Sequence, residues 1–243
     1  MKRDAAPALE PMDPASAYTL LLAWAAFAGV LMFAATLLWQ NGVWGMLIEA
    51  DPTGITMIIV AVFVAATVRC GWRSLRLCDE RASMEAWRRG LQGICGRQGR
   101  HVDAYFRALL AQWPQDAGAR GRLADVLAER LHGPEDSTWW VNGIQIKLGL
   151  LGKVIGFSIL AIQISRLESF DPSQTQDLLK TLTGGLGIAL LTTAVGLVAN
   201  MLLGLQLTQL DRCADILLAD ATQFADTGLL PDLADFAQLR HGA

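Results

Sequence analysis

Apolar residues gather in four long windows along the chain, separated by stretches of a different pattern. Tyr18 to Trp39 is 22 residues without a charge, and Pro52 to Val68 is 17, flanked by Asp51 and Arg69. Leu148 to Ser165 is 18 residues with one charge inside, Lys153, and Thr181 to Leu210 is 30 uncharged residues. A bilayer core about 30 Å thick needs roughly 20 apolar residues at about 1.5 Å each. The windows therefore predict four membrane-spanning helices. The first is too long for the apolar core of a signal peptide and has no small-residue cleavage site before Trp39-Gln40-Asn41, so it reads as a retained helix.

Between the second and third windows the apolar positions recur at helical spacing. Arg69 to Gln92 continues span two as an amphipathic helix, carrying Trp72, Leu75, Leu77, Met84, Trp87 and Leu91 among charges. Gly93, Gly96 and Gly99 interrupt it. Val102 to Trp113 is a second such stretch, closed by Pro114. Arg120 to Leu131 is a third, with Gly133-Pro134 predicting a helix stop and turn and Ser137 a cap for the helix that enters span three. Trp139 and Trp140 suit a membrane interface. Asp211 to Phe224 continues span four as a helix with Asp211, Asp215 and Asp220.

Charge gives the orientation. Arg69 to Lys147 holds 13 of the 20 basic residues, whereas the loop from Gln40 to Asp51 holds none and carries Glu49 and Asp51. The loop from Arg166 to Lys180 is mixed. Basic segments mark the cytoplasmic side. The expected organisation is thus a cytoplasmic segment 1–17, a peripheral transmembrane helix pair 18–68, a cytoplasmic helical region 69–147, a second transmembrane pair 148–210 and a cytoplasmic C-terminal helix 211–243, with both termini cytoplasmic. The fold class expected is all-α. The arginines of the cytoplasmic region form a solvated face that anionic lipid headgroups could also use.

Composition removes several function classes. With 53% hydrophobic and 18% charged residues, the chain is outside the range of ordinary soluble domains. A net charge of −3 argues against nucleic acid as a partner. Cys70, Cys78, Cys95 and Cys213 lack C-x-x-C spacing, and His101, His132 and His241 are scattered, so no metal site, redox pair or cofactor is expected. No paired intramembrane acids or Ser/His dyad supports an enzyme.

The polar and small residues inside the spans concentrate in the last two. Gly149, Gly152 and Gly156 line span three, and the last two form a G-x-x-x-G that allows close helix approach. Gly152-Lys153 is not a phosphate loop, since Lys147 and Val154 occupy positions that require Gly and Ser/Thr. In span four Thr193, Gly196 and Asn200 share a helix face. Lys153 and Thr193 each lie 13 residues from the outer charge of their span (Arg166 and Lys180), about 20 Å along a helix, which sets Lys153 level with Thr192 and Thr193. Buried polar groups in a span mark an ion path, but the hydroxyls can equally bond their own helix carbonyls and Lys153 can snorkel to the interface.

Two motifs resemble the MotA/TolQ/ExbB proton-channel family. Leu148-Gly149-Leu150-Leu151-Gly152-Lys153-Val154-Ile155-Gly156 is similar to the family's L-G-L-x-G-T-V-x-G, and Gly185 to Leu197 is similar to G-I-x-x-A-L-x-x-T-x-x-G-L. The resemblance covers about Trp139 to Phe224. It implies a homopentamer whose last two helices line a central pore, with ion-path residues Lys153, Thr192, Thr193 and Asn200 and packing residues Gly149, Gly152, Gly156 and Gly196. It also implies a partner resembling MotB, TolR or ExbD: two copies of a single-span protein whose intramembrane carboxylate exchanges an ion beside the pore. The pentamer then rotates about it, driven by protons or less readily sodium, and coupled to transport, envelope maintenance, motility or defence.

Two positions depart from the pattern. Lys153 stands where the family has a pore threonine, and Ile188 where an acid is often found. A lysine beside the partner carboxylate would hold it ionised. A non-conducting pentameric scaffold is therefore the second expectation, and a small-anion transporter using Lys153 the third. Against the transporter, the spans show no inverted repeat and no Pro-broken helix pair.

Overall fold

The structure, a computed structural model, describes residues 15–51, 53–90, 100–112, 117–165 and 172–231. Among these it is all-helical: α1 (Ala15–Gln40), α2 (Val43–Ala50), α3 (Ile55–Arg88), α4 (Arg100–Ala111), α5 (Ala117–Ser165) and α6 (Pro172–Phe224), with a π-helical turn at Ala225–Leu229. α1, α3, α5 and α6 are long and apolar enough to cross a membrane, consistent with a multi-pass membrane protein.

The segment from Gln40 to Asp51, expected as a loop, contains the short helix α2. Gly42 precedes α2 and Gly54 precedes α3, both in left-handed conformations (φ 68° and 72°) that cost glycine little. Asp51 then caps α3. Its carboxylate accepts the backbone N–H groups of Thr53 (3.0 Å) and Thr56 (2.7 Å) and the Thr53 hydroxyl. Burial opposes ionisation there, but these hydrogen bonds prevail and hold the Asp51 carboxyl below its ordinary range.

α3 continues past the apolar window to Arg88, and α4 lies beside it. Val102, Tyr105, Phe106 and Leu109, spaced along one face of α4, are buried. Glu80 of α3 caps α4 from outside by accepting the N–H groups of His101 and Val102, each at 3.0 Å. The indole of Trp87 donates to Asp103 at 3.0 Å, and the Phe106 ring meets Trp87 and Phe224 at 5.2 and 5.6 Å between centroids. The larger core therefore sits where α3, α5 and α6 extend beyond their spans and meet α4. The glycine break at 93–99 and the closing Trp113-Pro114 lie outside the described residues.

α5 corrects the expected stop at Gly133-Pro134. It runs unbroken from Ala117 to Ser165 with Pro134 inside. Proline removes a helical N–H and its ring crowds the preceding turn. Side chains from α3 hold the backbone on either side of it: Arg73 donates to the Leu131 carbonyl, and Arg69 to the Pro134 carbonyl at 3.4 Å. Ser137 is accordingly no cap. It sits within the helix, donating to the Pro134 carbonyl and accepting from Arg69 at 2.9 Å. The expected loop from Arg166 to Lys180 is shorter too, because α6 begins at Pro172, a residue well suited to the first helical position.

Candidate functional site

The longest contact in the molecule is the antiparallel seam between α5 and α6. Small residues bring the backbones together. A Cβ on Gly149 would lie 3.1 Å from the Thr192 carbonyl oxygen, and one on Gly196 would lie 3.0 Å from both the Gly149 Cα and the Gln145 carbonyl oxygen. A Cβ on Gly152 would collide with the Thr192 side chain, and one on Gly156 would stand 2.9 Å from the Ala189 nitrogen. All four glycines singled out from the sequence thus sit in this seam. Gly185 and Ala189 of α6 complete it opposite Gly156 and were not singled out. Their spacing with Thr192 and Gly196, small residues at four, three and four, carries the signal.

The polar residues fall at different depths of the seam. Thr192 is fully buried under Gly152, and its hydroxyl donates to the Ile188 carbonyl at 2.9 Å. Thr193 is half-buried; its hydroxyl donates to the Ala189 carbonyl at 2.8 Å and lies 3.3 Å from the Gly149 carbonyl across the seam. Asn200 donates to the Asn142 carbonyl at 2.8 Å. Lys153 is exposed, its Nζ 6.0 Å from the centre of the Phe157 ring, and it follows directly the glycine that covers Thr192. The lysine and both threonines therefore share one level. Ile188 is buried. Sequence reasoning missed Asn142 and Gln145. Gln145 is fully buried with neither amide atom paired, and the Asn142 Oδ1 is also unpaired.

A second polar cluster surrounds Pro134, outside the apolar window of span three. Arg73 Nε and Glu135 Oε1 form an ion pair of 3.0 Å with both side chains at least nine-tenths buried. Around it stand Arg69, bonded to Thr138 at 3.1 Å, and Asp211, which accepts the Trp139 indole N–H at 2.8 Å. His132 joins Asp215 at 3.0 Å. Burial, and then the neighbouring Asp211 carboxyl, push Glu135 up to about 7 against the pull of Arg73. Burial lowers His132, but the Ala128 carbonyl and Asp215 outweigh it and raise it.

The pH dependence follows from these signs. Native Glu135 keeps a proton that the unfolded chain has already released, so its contribution to stability is full below about pH 4.5 and is lost as pH rises to about 7. His132 acts in the same direction, which a Glu135→Gln comparison removes. The melting temperature of the protein minus that of Glu135→Gln is expected to fall from pH 4.5 to 7; a constant difference contradicts the assignment.

Among the described residues no cluster of His, Cys, Asp and Glu could hold a metal ion. No family model matches the chain, and no curated protein or solved structure matches it.

Proposed function

We propose that the chain is the pore-forming subunit of a proton-driven membrane motor, a homopentamer in the bacterial inner membrane with both termini cytoplasmic. In this reading α5 and α6 face a central pore that holds two copies of a single-span partner. The observation that carries it is the seam: both motifs fall on it, and its glycines join the helices into one wall with Lys153 and Thr193 at one level near its open edge. Thr192 serves packing, and Thr193 is the hydroxyl nearer the pore. The partner carboxylate would titrate in low dielectric, where its pKa rises and a hydroxyl offers both a donor and an acceptor.

A second reading, a ring of the same shape that does not conduct, draws on the exposed Lys153 and the buried Ile188. Proton flux in vesicles carrying the chain together with a single-span partner of the expected kind separates the two. Lys153→Thr is expected to raise flux severalfold by freeing the partner carboxylate to titrate, and Thr193→Ala to abolish it. Equal flux with lysine and threonine at position 153 would remove the role given to the lysine.

A further inference from the structure

One oxygen of Glu135 is left without a donor. The side chain is 3% exposed; Arg73 Nε takes Oε1 at 3.0 Å, and Oε2 is buried with no partner. The register of α5 against α6 shows what faces it. His132 meets Asp215 at 3.0 Å on one side of Glu135, and the Trp139 indole donates to Asp211 Oδ2 at 2.8 Å on the other. Glu135 and Trp139 are four residues apart on one face of α5, as Asp211 and Asp215 are on α6. The antiparallel helices therefore set the Glu135 and Asp211 carboxyls against each other, within hydrogen-bonding reach.

The surrounding groups do not satisfy Oε2. On α3, Arg73 is engaged with Glu135 Oε1 and the Leu131 carbonyl, and Arg69 with Thr138, Ser137 and the Pro134 carbonyl. On α5, His132 is turned to Asp215 and the Ala128 carbonyl. The Cys70 and Cys213 thiols also face the carboxyl, and burial raises both, so neither is charged near neutral pH. Two ionised carboxylates in contact present only lone pairs and repel. One proton between them turns the contact into a charge-assisted O–H···O bond, and a proton needs no cavity. Glu135 is the more enclosed of the two, and burial together with the Asp211 carboxyl holds it up at about 7.

We propose that Glu135 and Asp211 form a proton-binding site that joins α5 to α6 beyond the membrane-spanning part of their seam, the Glu135 hydroxyl donating from Oε2 to an Asp211 oxygen. Loss of that proton to water leaves two like charges in contact with Arg73 paired to one of them, and α5 and α6 loosen at this level. Asp211, half-buried at the end of the uncharged stretch of span four, is the side from which water exchanges the proton. The site needs only the packing of α3, α5 and α6 and holds whether or not the seam conducts.

Infrared spectroscopy of the full chain in nanodiscs, titrated across neutral pH, reads the C=O stretch of a buried carboxylic acid directly. The parent is expected to show one such band, lost with a midpoint of about 7. Glu135→Gln is expected to abolish it. Asp211→Asn is expected to lower the midpoint by about one pH unit, a tenfold loss of proton affinity, because the like charge that favours the proton is gone. Amide hydrogen exchange in residues 131–142, corrected for its intrinsic pH dependence, is expected to speed up across the same interval in the parent and to change far less in Glu135→Gln. A band that survives Glu135→Gln, a midpoint unmoved by Asp211→Asn, or exchange that does not follow the band would each overturn the proposal. So would a parent with no band titrating near neutral pH, a result that needs no variant to fold.

Discussion

Above pH 7, where Glu135 is ionised, Arg73→Met is expected to lower the unfolding free energy by about 3–5 kcal/mol. The reason is the state in which it leaves its neighbours. Glu135 is 3% exposed and Arg73 supplies its ion pair, while the same guanidinium occupies the Leu131 carbonyl in the turn that Pro134 disturbs. Removing the arginine leaves the Glu135 carboxylate buried without its partner. The double change Arg73→Met with Glu135→Leu is expected to recover much of the loss, because two apolar side chains need no partner. Thermal or denaturant unfolding of the parent, the two single variants and the double variant at one pH above 7 measures this. If the double variant is as unstable as the sum of its single changes, the pair does not act as a unit.

Gly156→Val is the second large effect. Its Cβ would lie 2.9 Å from the Ala189 nitrogen and 3.0 Å from the Gly185 carbonyl oxygen. Both are backbone atoms of a helix and cannot move aside singly, so α5 and α6 must separate. A loss at or above the upper end of the usual 1–3 kcal/mol for overpacking is expected, read as a fall in melting temperature, in order-of-magnitude terms about 3 kcal/mol. Gly187→Ala is the control on the same span. Nothing lies within 4 Å of the added methyl, and alanine is the better helix former by up to about 1 kcal/mol. Gly187→Ala should therefore melt at the same temperature or slightly higher. A Gly156→Val protein that melts like the parent would mean that the seam is not close-packed at this level.

The contrast between what the sequence discloses and what it hides follows the range of each interaction. α1, α3, α5 and α6 are legible because an uncharged run of about 20 residues needs no partner to declare itself. The glycine seam is legible because small residues at three- and four-residue spacing define one helix face. Pro134 misleads because its consequence depends on Arg69 and Arg73, distant in sequence, which bond the backbone on either side of it. The Glu80 cap on α4 and the Arg73–Glu135 pair are distant in the same sense and leave no local mark. The helix α2 escapes because its eight residues carry too little periodicity to distinguish a helix from a loop. Asn142 and Gln145 stand outside the apolar window of span three, and only the register of α6 against α5 shows that they are buried.

Threonines 192 and 193 show a different limit. Their spacing identifies a polar level in span four but not which hydroxyl meets the neighbouring helix. The structure separates them, with Thr192 fully enclosed beneath Gly152 and Thr193 at the edge of the seam. An exchange at 192 should consequently act on stability, and one at 193 on flux.

The proposed function depends on several copies of this chain enclosing a common channel. Native mass spectrometry of the full chain released from nanodiscs tests that directly. The account predicts particles of five times the 26.3 kDa chain mass. Particles of a single chain mass would contradict it, because one α5–α6 wall encloses nothing.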